Sequence, residues 1–216
     1  MVYIDVHTHF YKPGADIKSI ENICNNFTNI PADHTVSVGL HPWYLNNADA
    51  EINLLIALAQ QSNVAAIGEC GLDKLVKTEW NKQVKFFEQQ LQLAADLNKP
   101  VIIHCVKAFA ETLFLLKGIK VPVIFHGINN KLSVVQQVIK QGYYLSFGKS
   151  MLHPGESIMH TLKAVPAEQL FLETDDTGVS IKEIYKYAAE IRNITENEIA
   201  LQLQKNYDSV FNYAGH

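Results

Sequence analysis

The histidines and carboxylates of this 216-residue chain fall at recurring places. Asp5-Val6-His7-Thr8-His9 closes a short apolar run that starts at Tyr3. Gly68-Glu69-Cys70-Gly71 closes the run 65–67, and His104 follows the run 101–103. His126 follows the run 121–125, and Glu173-Thr174-Asp175 follows the run 170–172. One histidine at the end of a strand is ordinarily a hydrogen-bonded core or loop residue. Five runs that end alike point instead to a shared site. His7 and His9 are two residues apart, so on a strand they face the same side. With Glu69, His104, His126 and Asp175 they offer imidazoles and carboxylates that suit zinc, manganese, nickel or iron better than magnesium alone. Six ligands exceed what one tetrahedral ion needs, which predicts two divalent ions about 4 Å apart with Glu69 as the bridging carboxylate. Hydrolysis by a metal-activated water is the chemistry of such a pair.

The elements that must position these residues alternate. The strand-like runs are nearly continuously apolar, as in parallel strands covered on both faces by helices. Between them lie segments of helical period, such as Trp80, Val84, Phe87, Leu91 and Ala95. Gly142 stands where a helix C′ residue belongs, and Thr195 with Glu198 has capping-box spacing before Ile199, Leu203 and Tyr207. The expected architecture is a compact α/β barrel of the TIM type, a single domain over residues 1–216. Such barrels run to about 250 residues, so the loops must be trimmed. Seven strands are plain. An eighth, reduced one would fall at Ser19–Ile23, within a stretch (16–26) that reads equally well as a short helix. Active sites of such barrels sit at the C-terminal ends of the strands, where all the candidate ligands fall. An open doubly wound sheet is the alternative, but no G-x-G-x-x-G follows the first strand.

Eighteen basic and 22 acidic residues give a net charge of −4. No basic run is present, which argues against a dedicated nucleic-acid binder that grips phosphates by counterion release. An enzyme that holds one phosphate through metal ions remains compatible with that balance. The three cysteines, Cys24, Cys70 and Cys105, cannot form a disulfide framework. No basic leader or long apolar span is visible, so a cytoplasmic protein without membrane contact is expected. Cys70 and Cys105 read as small buried hydrophobes pointing away from the site. Asp5 either orients an imidazole or is satisfied by backbone.

The set His7-Thr8-His9, Gly39-Leu40-His41-Pro42, Ile67–Asp73, Pro100–His104, Phe125-His126-Gly127 and Leu172-Glu173-Thr174-Asp175 resembles the TatD family of metal-dependent hydrolases. Asn206 and Phe211 resemble that family's closing pattern. The resemblance implies a TIM-type barrel and divalent-metal hydrolysis of a phosphodiester or phosphate ester, as in TatD deoxyribonucleases. It places His7, His9, Glu69 and Asp175 around one ion and Glu69, His104 and His126 around the other. Asp175, with Glu69 catalytic, would align or deprotonate the attacking water.

This sequence departs from the family where substrate would be held. The chain is short between Phe10 and Thr35. Lys107 stands where many members have an arginine, and offers a phosphate a point charge rather than a fork. Asp176 and Thr177 replace Ala-Pro and add a negative charge beside the site. His41 either contacts substrate or makes a structural hydrogen bond; Trp43 and Tyr44 either stack a base or pack their loop. The alternatives to phosphoester hydrolysis are a metal-dependent amide or aminoacyl ester hydrolase, and a barrel that binds metal without turnover.

Overall fold

The computed structural model describes residues 1–24, 27–28 and 30–212. Among them are eight strands and seven α-helices: β1 (Tyr3–Thr8), β2 (Ile17–Cys24), β3 (Val36–Gly39), α1 (Ala48–Leu58), β4 (Val64–Asp73), α2 (Trp80–Leu97), β5 (Val101–Val106), α3 (Phe109–Leu115), β6 (Val123–Phe125), α4 (Leu132–Lys140), β7 (Tyr144–Phe147), α5 (Glu156–Ala164), β8 (Leu170–Leu172), α6 (Ile181–Arg192) and α7 (Glu196–Phe211). Sheet order follows chain order, β1 to β8, which is the TIM-type (β/α) arrangement expected from the alternation. The second strand is not reduced: β2 has eight residues. Only Ser19, Ile20 and Asn22 are buried and polar residues interrupt it, so it lacks the continuous apolar run that marks the other strands. Asn25 and Asn26, at the end of the stretch that also read as a helix, lie outside the described residues. No described helix is long and apolar enough to cross a membrane.

The chain divides into two compact units. The first joins Met1–Glu21 to the chain from Phe125 onward. Here β1 pairs in parallel with β2, with Asp5 opposite Ser19, and β7 pairs with β8. A parallel bridge from Thr8 to Asp175 sets β1 beside the end of β8. Tyr185 of α6 fastens β1 from behind, its buried hydroxyl accepting from Ile4 N at 2.9 Å and donating to Ile4 O at 3.1 Å. The capping box of α7 is present, with the Thr195 side chain on Glu198 N and the Glu198 side chain on Thr195 N. Ile199, Leu203 and Tyr207 are buried as their spacing predicts. Asn206 donates to the carbonyls of Ala167 and Leu170, at 2.8 and 2.7 Å, and so ties α7 to the start of β8.

The second unit, built on Asn22–Ile124, carries β3, β4 and β5 as neighbours, with Gly71 opposite His104 and Asp73 opposite Val106. Gly71 has φ near +145°, and a Cβ there would lie 2.0 Å from the His104 carbonyl oxygen. Only glycine lets β4 pass β5 so closely. The buried residues of α2 are Gln83, Phe86, Phe87, Gln90, Leu91, Leu93 and Ala94, which corrects the purely apolar stripe: Trp80 and Val84 are half-buried and Ala95 is exposed. The two glutamines face inward because strand ends need partners. Gln90 accepts from Leu40 N at 2.7 Å and donates to Leu40 O at 3.2 Å. Gln83 does the same for Asp73, at 2.8 and 3.1 Å. One helix thereby fixes the backbone just before His41 and at Asp73.

Candidate metal centre

In the first unit, β1 runs through its polar residues to Thr8, and His7 is fully buried while His9 is partly exposed. Asp175 sits just past β8 in the left-handed region, φ 51°, which aspartate tolerates better than most residues. Its N–H donates to His7 O at 3.0 Å and its carbonyl accepts from His9 N at 2.9 Å. That backbone pairing brings the three side chains together. Nε2 of His7 and Nε2 of His9 stand 3.6 and 3.5 Å from Asp175 Oδ1. These distances are longer than hydrogen bonds. They match the spacing of two ligand atoms on a common ion, roughly 3.4 Å for bonds of ~2.1 Å in a tetrahedron. Two imidazoles and a carboxylate at that spacing fit a divalent metal. His126, Glu173 and Asp175 form a second group, with potential ligand atoms within 4.8 Å of one another. The His126 and His7 rings lie 4.3 Å apart, centroid to centroid.

Asp5, two residues before His7, is buried and accepts from Thr174 N at 2.9 Å and Thr174 Oγ1 at 2.7 Å. Burial pushes its carboxyl up to about 7, against the lowering effect of those bonds. Of the two roles open to it, the bond to backbone is made.

In the second unit the carboxylate of Glu69 is the hub. Oε1 lies 2.9 Å from His41 Nε2 and 2.8 Å from His104 Nδ1. Oε2 accepts from Asn22 Nδ2 at 3.1 Å, and Asn22 Oδ1 accepts from Glu69 N at 2.9 Å. His41 Nδ1 accepts from Trp43 N at 3.1 Å, which leaves the proton on Nε2 to be donated to Glu69. His41 thus makes a hydrogen bond to Glu69, one of the two roles open to it. His104 Nε2 faces Asp73 Oδ2 at 3.2 Å, and the same oxygen accepts from the Trp43 indole at 2.8 Å. His41, Glu69 and His104 form a third group with potential ligand atoms within 4.8 Å of one another.

The chain from residue 4 to residue 212 matches the family described as TatD related DNase. The chain belongs to that family. A metal-dependent hydrolase of Buchnera aphidicola subsp. Baizongia pistaciae is 27% identical over 215 residues, covering 90% of this chain and 81% of its own. A 3'-5' ssDNA/RNA exonuclease TatD of Citrobacter koseri is 32% identical over 169 residues, 73% of this chain and 63% of its own. Among solved structures, the TatD homologue YJJV of Escherichia coli K12 superposes with a TM-score of 0.85 at 24% identity, covering 98% of each chain. A TatD family hydrolase of Entamoeba histolytica gives 0.81 at 17% identity, covering 97% and 98%. These two show the fold. As a TatD-type protein the chain is a metal-dependent hydrolase of ester bonds, and its His, Glu and Asp groups are of the kind that holds divalent metal.

Within each unit, the structure of this TatD-type chain brings together His7, His9, His126 and Asp175, and likewise His41, Glu69 and His104. Lys107 is exposed at the end of β5. Asp176, the added negative charge, faces Lys149 Nζ at 3.2 and 3.3 Å, so its charge is partly offset. Cys70 is fully buried, with its thiol pushed up by burial; Cys105 is half-buried, its thiol raised to about 11 for the same reason. Sequence reasoning missed Glu173, Asp73 and Asn22 as site residues. Glu173 is fully buried, and its Oε1 accepts from Gly127 N at 2.7 Å beside His126. Its signal was an acid ending an apolar run, overshadowed by Asp175. Asp73 closes β4 as Asp175 follows β8, and could have been found by the same rule. Asn22 carried no signal, because its stretch did not read clearly as a strand.

Proposed function

We propose that this protein removes nucleotides from the end of a single-stranded nucleic acid, and does so as one catalytic domain with two divalent ions. The ions are zinc, manganese or nickel ahead of magnesium, as the imidazole-rich donor set favours. His7, His9, Glu69 and Asp175 hold one ion and Glu69, His104 and His126 hold the other, as the matched motifs imply. Bound there, divalent ions would acidify a water and draw charge from the phosphoryl oxygens. Asp175 takes the proton of the attacking water. Lys107 receives a substrate phosphate. His41 holds the Glu69 carboxylate in place through its Nε2–H, and Asn22 does so from the other oxygen.

The observation that carries this reading is the spacing of His7, His9 and Asp175, wide for hydrogen bonds and right for a shared cation. The substrate follows from relatives named as single-strand exonucleases. Protein stripped with chelator and reloaded with manganese should shorten a 5′-labelled single-stranded oligonucleotide from its 3′ end. Elemental analysis should find about two ions per chain. Glu69→Gln should lose both metal and at least about a hundredfold in rate, since even partners behind a ligand cost 10–100-fold. Hydrolysis of aminoacyl ester or amide substrates in the same metal, with oligonucleotide intact, would replace the phosphodiester with an acyl bond. Metal-loaded protein inert on all three would leave a binding protein.

A further inference from the structure

An apolar patch hangs on the candidate site of the second unit. Trp43 is 49% exposed, Tyr44 53% and Leu75 71%, in loops that follow β3 and β4. The Trp43 and Tyr44 rings meet, and contiguous exposed apolar surface, unlike a single exposed side chain, marks a contact site. Trp43 is not loose. Its indole N–H donates to Asp73 Oδ2 at 2.8 Å, and Leu75 N donates to Asp73 Oδ1 at 2.8 Å. One buried carboxylate therefore anchors both sides of the patch, and its Oδ2 also faces His104 Nε2 at 3.2 Å. The indole meets the rings of His41, His104 and Tyr44 edge-on, at 90°, 81° and 72°, with centroids 5.0, 5.8 and 6.2 Å away. A rigid, half-exposed aromatic ring is fixed directly beside two imidazoles of the candidate site.

We propose that Trp43 is the stacking platform for the base of the terminal nucleotide, a specificity-determining residue for the exonuclease reading on which this inference rests. A nucleobase is the occupant that fits. It is planar, its π-face stacks on an indole whatever its sequence, and in a single strand it is free to do so. The anchoring bond keeps the ring's orientation fixed before substrate arrives, so little ordering cost remains to be met on binding.

The test is steady-state hydrolysis, with manganese, of a single-stranded oligonucleotide ending in either a normal or an abasic 3′ nucleotide. Trp43→Ala should raise KM about tenfold on the normal end, the scale of one base–aromatic stack. It should leave kcat within about twofold, and KM on the abasic end unchanged. Trp43→Phe, which keeps a ring but loses the bond to Asp73, should recover most of the binding. Equal KM increases on both ends, or a fall in kcat shared by the alanine and phenylalanine variants, would overturn stacking and make Trp43 a positioning residue acting through Asp73. Binding is read independently of turnover in a Trp80→Phe background, where Trp43 is the sole tryptophan. Quenching of its fluorescence by the normal but not the abasic oligonucleotide supports stacking, and no quenching refutes it. Wild type inert on phosphodiesters would defeat the nuclease reading, whereas active wild type with base-independent variants would defeat only this inference.

Discussion

Replacing Asp5 by asparagine tests how a buried carboxyl is carried beneath the candidate ligands. Asp5 is 5% exposed, and its oxygens accept from Thr174 N and Thr174 Oγ1. Burial, the largest influence, raises its pKa from the ordinary 3.8 to about 7. The folded protein then holds a proton that the unfolded chain has released at any pH between those values. The stability from this group is fully present below pH 3.8 and is lost as pH rises through about 7. At 1.36 kcal/mol per pKa unit, the span of about three units corresponds to ~4 kcal/mol. Asparagine keeps the bond from Thr174 N to Oδ1. Its amide can donate to Thr174 Oγ1, whose proton then goes to Thr8 Oγ1, now 2.8 Å away. No buried group loses its partner and no charge is buried. Urea unfolding in chelator, at steps from pH 4.5 to 8.5, should show Asp5→Asn gaining on the wild type as pH rises. With a slope near 2 kcal/mol per molar urea, a gain of ~3–4 kcal/mol moves the midpoint by roughly 1.5–2 M. Every other ionisable side chain is common to both proteins, so the difference isolates Asp5. A difference between the two that stays flat across this range would refute the reasoning.

Two further perturbations address the elements that hold the site. Gly71→Ala places a Cβ 2.0 Å from the His104 carbonyl, against backbone that cannot yield, so it should destabilise by more than about 4 kcal/mol or fail to fold, as read by thermal melting. Gln90→Leu leaves the N–H and C=O of Leu40 without their side-chain partner and should cost ~1–3 kcal/mol. Because His41 is the next residue, the same variant should lower kcat on oligonucleotide while KM on it holds.

Much of this was readable from residue types, and the remainder was hidden for definable reasons. The apolar runs located seven strands because parallel strands covered by helices bury both faces. The runs stop short of the strand ends: β1, β4 and β5 continue through His7, Glu69 and His104, since backbone pairing such as Gly71 with His104 does not depend on side-chain polarity. The buried glutamines of α2 were invisible because an amide that bonds to a strand end looks, in sequence, like a solvated surface residue. That His7 and His9 share a side followed from the two-residue strand period alone, and both stand near Asp175 Oδ1. The stripe of α7 and its capping box were legible because capping uses residues three apart in sequence. The hold on Glu69 was not, because it depends on residues 47 and 28 positions away, Asn22 and His41.

Burial separates what this chain shares with its family from what it can vary. Glu69, Glu173 and His7 are buried, and the polar groups beneath them, Asn22, Gln83, Gln90 and Asp5, each have a bonded partner. An apolar residue in place of Asn22, Gln83 or Gln90 would strand a buried partner, so the candidate site is tied to the stability of the fold. The departures from the family pattern lie elsewhere. Lys107 and Asp176 are exposed, and the pair Asp176–Lys149 lies in solvent, where such pairs contribute little to folding. Trp43 is half in water and held by one bond. Residues in that position can be exchanged without loss of structure, so under the proposed function the rim is where substrate choice would be set. The common chemistry should therefore survive substitutions at Lys107 and Trp43 that redirect which ends the enzyme accepts.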